Sequence, residues 1–243
     1  MGAGPAVTGG APVAGTMVGA GGSRLRTLAW IPPGDARGRV LLVHGFTEHA
    51  GRYDHVARYF ASRDLAVLAY DQRGHGESEG RRGRLPSFEL LLEDLHRARD
   101  EALAGLPGDG PPVLYGHSLG GLVVLRYLQN DPPTTPAAVL SAPWLGMAAE
   151  IPWWKRLAAN LLLRWAPDAT FASREVTARG LTRDEALQDA YVRDPLVHHR
   201  ISARLFDEVE TAQRRALEEG VDPAVPVLVL VPGDDPIVDS ALT

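Results

Sequence analysis

Cysteine is absent from the 243 residues of this sequence. Its absence excludes disulfide bonds, thiolate metal sites and a cysteine nucleophile, and it is typical of proteins from a reducing compartment. No apolar run approaches the ~20 residues that a membrane-spanning helix needs. The first sixteen residues also lack the cationic and compact apolar regions of a secretory signal. Together these absences predict a cytoplasmic protein without a transmembrane segment.

A strongly basic field is missing as well, since the formal net charge is -5 and the isoelectric point is about 5.9. The sequence therefore predicts no nucleic-acid partner. Hydrophobic residues make up 45% of the chain, and no segment repeats another. This composition indicates one globular domain that is large enough to bury a substantial core.

The stretch at residues 112–121 organises the rest of the chain. A short apolar run leads into Gly116-x-Ser118-x-Gly120, and a second apolar run continues to Leu128. The pattern predicts a strand, a sharp turn and a helix, with Ser118 at the apex. Such a turn strains the serine backbone and requires glycine two residues before and after it. The hydroxyl then projects clear of the sheet beside the positive end of a helix, so Ser118 is a candidate nucleophile.

Apolar runs and amphipathic helical segments alternate over the first 143 residues. This order predicts a mostly parallel central sheet that is flanked by helices on both faces. A hairpin at the sheet edge is predicted within residues 16–31. Further strands are predicted at residues 39–45, 65–71, 112–117, 137–143 and 226–231.

Residues 144–202 interrupt this alternation after the sixth strand, because no strand pattern is visible in them. We predict a helical cap there, above the carboxyl ends of the strands, where ligands bind in open α/β sheets. Four of the five tryptophans lie in this segment, and most of them are interpreted as the core of the cap. The predicted division is a flexible extension at 1–15, a core at 16–143, the cap at 144–202 and a second core part at 203–243.

A serine nucleophile needs donors for the oxyanion, a base and a carboxylate that orients the base. The donors are predicted to be the backbone N–H groups of Phe46, after the first buried strand, and Leu119, after the nucleophile. Asp234, Asp235 and Asp239 all follow the strand after the cap, and from the residues alone any of them could be the carboxylate.

Five segments together resemble the α/β-hydrolases. Within that fold they are similar to the monoacylglycerol lipase and lysophospholipase-like group, which has a hydrolase domain of the serine aminopeptidase S33 type. The matching segments are residues 44–53, 71–78, 116–121, 194–198 and 233–239. The resemblance implies that Ser118 is the nucleophile, Asp235 the triad acid, and Phe46 and Leu119 the oxyanion residues.

The same resemblance implies the roles of further residues. Glu48, Arg52 and Tyr191 match positions that line the polar end of the pocket, where the glycerol or alcohol part of the substrate is held. The cap would take the acyl chain on its apolar inner surface. The loop at residues 71–83 matches a structural signature of the family without a catalytic role.

The sequence departs from the family at the catalytic histidine, which in the family follows the triad aspartate after one more strand. No histidine follows Asp235 in this sequence, and we expect a C-terminally truncated chain that lacks the last strand and helix. A substitute base among the histidines present is not expected. Without its base a triad enzyme retains roughly 10³–10⁴-fold acceleration over water. The eight histidines are His44, His49, His55, His75, His96, His117, His198 and His199.

The predicted function is a serine hydrolase that cleaves carboxylic esters of the monoacylglycerol or lysophospholipid type through an acyl-Ser118 intermediate. The alternatives are a carboxylesterase, thioesterase or peptidase of the same fold, and an inactive fragment or non-catalytic binding protein. The predicted partner is a small lipid or ester, with transient contact between the cap and lipid surfaces. No metal and no organic cofactor are predicted. The sequence makes no prediction of oligomeric state.

Overall fold

The computed structural model describes residues 10–130, 135–148, 152–173, 176–220 and 225–242. Its centre is a seven-stranded sheet with the strand order β1-β2-β4-β3-β5-β6-β9. Two further short strands form a separate antiparallel pair. The strands are β1 Val13–Val18, β2 Arg24–Trp30, β3 Gly38–Val43, β4 Leu65–Tyr70, β5 Val113–His117, β6 Ala138–Ser141, β7 Thr170–Ala172, β8 Arg200–Ser202 and β9 Val227–Leu230.

The predicted mostly parallel sheet is confirmed. Strand β2 alone runs opposite to the others: it pairs antiparallel with β1 on one side and with β4 on the other. All other neighbouring strands of this sheet pair in parallel. The chain moves outward from β3 to β4 and then returns to place β5 on the other side of β3. The carboxyl ends of β3 and β5 therefore flank a topological switch point, which is where open α/β sheets bind ligands.

Seven helices accompany the sheet in the described ranges. Alternate residues of β3 point to opposite faces: Val40 and Leu42 pack on the side of α1, while Leu41 and Val43 pack on the side of α2, α3 and α7. Both faces of this strand are buried, which explains its continuous apolar sequence. The helices are α1 Asp54–Ala61, α2 Glu89–Arg97, α3 Leu119–Asn130, α4 Trp153–Trp165, α5 Ala178–Leu181, α6 Glu185–Arg193 and α7 Ala203–Glu218.

The cap segment, residues 144–202, is not wholly helical. It contains α4, α5 and α6, but β7 and β8 pair antiparallel within it, so the prediction of a segment without strands is wrong. Each of these strands has three residues, which is too short for an alternation of apolar and polar positions to be visible.

The tryptophans of α4 do not form the core of the cap. Trp153 is 75% exposed and Trp165 is 78% exposed, and Trp154, Leu157 and Leu161 are exposed as well. Trp144 is the buried exception. Periodicity identified the residues that share a helix face, but it does not specify which way that face points.

The boundary of the N-terminal extension also differs from the prediction. Val13, Ala14 and Gly15 belong to β1 and pair with Ala29, Leu28 and Thr27. The small side chains of this segment show no strand pattern in the sequence. Backbone pairing with β2 nevertheless holds the segment in the sheet. The remainder of the predicted extension, residues 1–9, lies outside the described residues. Within the ranges listed above, no helix has both the length and the apolar character needed to cross a membrane.

Candidate active site

Ser118 lies at the apex of the turn between β5 and α3. Its φ of 51° is in the left-handed region, which non-glycine residues rarely adopt and which costs roughly 1–3 kcal/mol. Three backbone hydrogen bonds hold it there: its N–H donates to Ser141 O, and its carbonyl accepts from the N–H groups of Leu122 and Trp144. The strained conformation is therefore fixed by β6 and the segment after it.

The glycines on either side of Ser118 are required by space. A Cβ atom on Gly116 would collide with the carbonyl of Gly120, and one on Gly120 would collide with the carbonyl of Val43. The strand-turn-helix predicted from the sequence is thus confirmed, and its close packing brings the end of β3 against the start of α3.

The two predicted oxyanion residues have backbone N–H groups without an acceptor among the described residues. Neither the N–H of Phe46 nor that of Leu119 donates a hydrogen bond within the described part of the chain. Leu119 is the first residue of α3, so the positive end of the helix dipole also points at this position. The side chain of Leu119 is buried in the core, whereas Phe46 lines the cavity beside Ser118.

Asp235 is the one of the three candidate aspartates that lines the same cavity as Ser118. Its Oδ1 accepts hydrogen bonds from the N–H groups of Ile237 (2.8 Å) and Val238 (3.0 Å). Asp234 pairs with Arg183 on the surface, and Asp239 accepts from the N–H of Ala241. The two backbone hydrogen bonds fix the orientation of the Asp235 carboxylate.

The loop of Asp235 is anchored by residues that the sequence did not single out. Met147 and Val238 form an antiparallel bridge. On either side of it, Ala148 N–H donates to Ile237 O and Asp239 N–H donates to Gly146 O. This pairing between the start of the cap segment and the loop after β9 had no strand pattern that could have predicted it.

Polar side chains form one end of the cavity. Glu48 Oε1 accepts from the N–H of Gly45 (2.8 Å) and from the hydroxyl of Tyr53 (2.5 Å). Tyr191 reaches across from α6, and its hydroxyl lies 2.8 Å from Thr47 Oγ1. Burial, and then the charge of Glu48, raises the pKa of Tyr53 well above its ordinary value, so its hydroxyl stays a donor.

Arg52 is not among the residues that line the cavity. It lies behind Glu48 and Tyr191, with its Nε 3.5 Å from Glu48 Oε2 and its guanidinium 4.7 Å from the centre of the Tyr191 ring. The structure therefore brings Glu48 and Tyr191 to the cavity and leaves Arg52 in contact with both. Asp194, which pairs with His49 at 2.8 Å, joins this group from the end of α6.

Burial alone would raise the pKa of Asp194. The hydrogen bonds from His49 and the N–H of Leu196 outweigh that effect and hold its pKa below the usual range. Both the Thr47–Tyr191 and the His49–Asp194 contacts connect the cap segment to the loop after β3. The partners in each pair are about 145 residues apart in the chain, and nothing in the sequence pattern linked them.

The remaining walls of the cavity, which has a volume of about 190 Å³, are mostly apolar. They come from the start of the cap segment, from its inner surface, from α7 and from the loop after β9. The apolar residues among them include Trp144, Met147, Phe171, Val176, Leu181, Ile201, Phe206 and Val238.

The hydroxyl of Ser118 makes no hydrogen bond to any of the eight histidines, all of which lie in the described ranges. His117 also lines the cavity, but its Nδ1 faces Ser141 Oγ at 3.1 Å. Across the described parts of the chain, no group of three or more carboxylate or imidazole side chains is arranged to hold a metal ion. The arrangement thus places Ser118, Phe46 and the Asp235 carboxylate around one largely apolar cavity.

The loop at residues 71–83 has a structural role. Asp71 is fully buried, and its carboxylate accepts hydrogen bonds from the N–H groups of Ala50 (2.8 Å) and Glu77 (2.8 Å). It thereby connects the loop after β4 to the loop after β3, away from the cavity.

The family model described as serine aminopeptidase S33 matches residues 34–243. Among curated proteins, the monoacylglycerol lipase of Mycolicibacterium smegmatis is 36% identical over 188 residues, which are 76% of this chain and 65% of that protein. The monoglyceride lipase of Mus musculus is 33% identical over 182 residues, which are 74% of this chain and 59% of that protein. The chain thus spans less than two thirds of the length of these relatives.

Solved structures give the same result for the fold. The crystal structure of Paleococcus ferrophilus monoacylglycerol lipase superposes with a TM-score of 0.74 at 33% identity, covering 84% of this chain and 76% of that one. A soluble variant of Saccharomyces cerevisiae monoglyceride lipase gives 0.79 at 21% identity, covering 98% and 81%. With its central sheet, serine turn and matched family model, the chain has the α/β-hydrolase fold and belongs to the serine aminopeptidase S33 family.

Proposed function

We propose that the protein is a serine hydrolase that cleaves carboxylic esters of the monoacylglycerol or lysophospholipid type through an acyl-Ser118 intermediate. The observation that carries this proposal is the position of Ser118, held in a strained turn at the side of a cavity with one polar end and apolar walls. The similarity to proteins named monoacylglycerol lipase supports the same substrate class.

In the proposed reaction, Ser118 Oγ gives its proton to a base and forms a bond to the ester carbonyl carbon. The carbonyl electrons move to the oxygen, and the resulting oxyanion accepts from the N–H groups of Phe46 and Leu119. The intermediate then expels the alcohol, which takes the proton from the base, and water hydrolyses the acyl-enzyme by the same steps. Asp235 orients the base and stabilises its protonated form.

The polar and apolar surfaces set the proposed orientation of the substrate. The alcohol part lies toward Glu48 and Tyr191, whose carboxylate and hydroxyl can exchange hydrogen bonds with glycerol hydroxyls. Arg52 supports these two side chains from behind. The acyl chain lies along the apolar wall, where Trp144, Phe171 and Leu181 remove it from water. In this proposal, residues 144–202 act as the cap over a core formed by residues 16–143 and 203–243.

The activity is proposed for the protein at its native mass, since the chain spans less than two thirds of its curated relatives. A mass measurement of the protein from its own cells therefore comes first, and the assays use a chain of that mass.

A substrate comparison tests the proposal. Turnover of monoacylglycerols is measured beside turnover of p-nitrophenyl esters and aminoacyl amides, with Ser118→Ala as the control for contaminating hydrolase. We expect kcat/KM to be highest for monoacylglycerol. Preference for the amides would defeat the ester assignment, and hydrolysis that survives in Ser118→Ala would defeat the mechanism.

We propose further that the exposed face of α4 contacts lipid surfaces. Trp153 and Trp165 are exposed together with neighbouring leucines, and Arg156 and Arg164 lie on the same helix. Aromatic side chains with flanking cations are typical of helices that lie in a membrane interface. We expect this face to bind the surface that supplies the substrate.

Vesicle sedimentation measures this contact. Replacing Trp153 and Trp165 together by serine is expected to weaken binding to anionic vesicles by about 100-fold or more, because each buried aromatic contributes about 1.5–3 kcal/mol. Val18→Ser, which removes an exposed apolar residue from β1, is the matched control. Equal binding by the double variant and the wild type would contradict the proposed contact.

One observation favours a second candidate function, a non-catalytic binding protein for lipid esters. The Ser118 hydroxyl has no hydrogen bond to any of the eight histidines, and a serine without a base is a weak nucleophile. Saturable binding of monoacylglycerol without release of glycerol would support this candidate. Release of glycerol that depends on Ser118 would exclude it. The cytoplasmic location stays a prediction, and fractionation of cells that express the native protein tests it.

A further inference from the structure

His44 is fully buried and directly follows β3. The next two residues are Gly45 and Phe46. Its Nε2 lies 2.9 Å from the backbone N of Gln72, and its Nδ1 lies 2.7 Å from the carbonyl oxygen of Gly45. The side chain of Gln72 also donates to the carbonyl of His44, at 2.6 Å. The imidazole is therefore held at both nitrogens.

These contacts determine the tautomer of His44. A backbone N–H can only donate, so Nε2 must accept from Gln72 and carries no proton. Nδ1 then carries the proton and donates it to the carbonyl of Gly45. The ring of His75 packs edge-on against His44 at 5.3 Å, which restricts rotation of the imidazole.

The bond to Gly45 has a consequence for the oxyanion donor. The carbonyl of Gly45 and the N–H of Phe46 belong to one planar trans peptide, so they point in opposite directions. Holding the carbonyl toward the buried imidazole aims the N–H of Phe46 toward the cavity. If this peptide rotated, its carbonyl rather than its N–H would face a developing oxyanion.

Gly45 cannot stabilise this orientation with a side chain of its own. A Cβ atom there would lie 2.7 Å from Glu48 Oε1 and 3.2 Å from the Cβ of Ser118. Glycine also has the widest backbone freedom, so the peptides around it need external partners. Glu48 accepts from the N–H of Gly45 on one side, and His44 donates to its carbonyl on the other.

We propose that His44 is a positioning residue, which holds the Gly45–Phe46 peptide so that the N–H of Phe46 faces the reacting carbonyl. This inference rests on the proposed function for its catalytic consequence, but its structural part stands without it. His44 does not line the cavity and acts only through Phe46.

Three variants test the proposal. His44→Leu fills the site without a donor, whereas His44→Asn places an amide N–H where Nδ1–H lies in the wild type. His75→Leu removes a neighbouring buried imidazole without touching the Gly45 carbonyl. We expect His44→Leu to lower kcat by about 10²–10³-fold, the effect of losing one oxyanion donor, with little change in KM. His44→Asn recovers most of this loss, and His75→Leu loses far less activity than His44→Leu.

An NMR measurement distinguishes failure of this proposal from failure of the proposed function. In ¹H–¹⁵N spectra, the Phe46 amide of the wild type and of His44→Asn is expected to give one sharp resonance, while His44→Leu gives a broadened or doubled one. Thermal unfolding of each variant establishes that it is folded. An unchanged Phe46 resonance or an unchanged kcat in folded His44→Leu overturns the role of His44. A wild type that hydrolyses no ester while the resonances behave as expected overturns only the proposed function.

Discussion

The two sides of the candidate site differ sharply in how they are held. The packed side consists of β3, the loop at residues 44–52 and the serine turn at 116–121. The open side consists of β9 and the loop at residues 231–239. Both sides begin with a run of valine and leucine in the same sheet, yet Leu41 is fully buried whereas Leu228 is 56% exposed.

The difference lies in what surrounds each strand. Strand β3 has a partner strand on each side and helices on both faces, whereas β9 pairs only with β6 in the described chain. On the packed side, His44 and Glu48 also hydrogen-bond to Gly45, and Thr47 connects this side to Tyr191 of the cap segment. The packed side therefore supplies the rigid part of the site, and the open side presents Asp235 on a loop anchored mainly by residues 146–148.

The largest effects are expected when the proposed catalytic groups are removed, Ser118 from the packed side and Asp235 from the open side. In the protein at its native mass, Ser118→Ala should lower kcat by on the order of 10⁶-fold, and Asp235→Ala by on the order of 10⁴-fold, as in complete triads. Steady-state ester hydrolysis measures both. Asp234→Ala and Asp239→Ala are the matched controls. If either control lost more activity than Asp235→Ala, that aspartate and not Asp235 would be the triad acid.

The two sides should also differ in how much a leucine side chain contributes to the free energy of unfolding. Leu41→Ala is expected to lower the free energy of unfolding by about 2–5 kcal/mol, since it leaves a cavity between the sheet and its helices. Leu228→Ala should change the free energy of unfolding by less than about 0.5 kcal/mol, because its side chain already contacts solvent. Urea unfolding of both variants measures the difference. Equal losses would mean that β9 is covered in solution.

Acid should weaken the packed side through His198, which is 8% exposed and packs against Phe46. Burial, and then the charge of Arg82, lowers the pKa of His198 from 6.5 to about 4. Below pH 6.5 the unfolded chain binds a proton at this histidine that the folded chain does not bind. The free energy of unfolding therefore decreases as the pH is lowered from 6.5 to about 4. The loss from this group is about 3 kcal/mol.

Unfolding free energies measured between pH 7 and pH 4 test this dependence. His198→Asn keeps an acceptor for the N–H of Arg200 but cannot be protonated, so its profile should be flatter than that of the wild type. His55→Asn, which replaces an exposed histidine, is the matched control. A wild-type slope in His198→Asn would contradict the assignment.

Local patterns predicted the packed side well. The serine turn and its glycines were evident from spacing, because their geometry depends on a few consecutive residues. The buried strands were evident from continuous apolar runs. The choice of Asp235 among three aspartates needed the family resemblance, and its place beside Ser118 depends on pairing with residues 146–148 that no pattern revealed.

Contacts between distant segments could not be predicted from the sequence. Thr47 and Tyr191 meet because the cap segment folds back over the sheet, and neither residue carries a signal for the other. The prediction that tryptophans such as Trp153 form the core of the cap was wrong for the same reason: periodicity defines a helix face, and tertiary packing decides whether that face is covered. Strands of three residues, such as β7, are below the length at which alternation is visible.

Labelling with a fluorophosphonate probe tests whether Ser118 is an activated nucleophile, because the probe reacts with a serine only when the site activates it. The protein at its native mass is treated with the probe, digested and mapped by mass spectrometry. We expect one adduct, on Ser118, that is absent from Ser118→Ala and forms more slowly when monoacylglycerol is added. An unlabelled Ser118 in the folded protein, or an adduct on another residue, would contradict it.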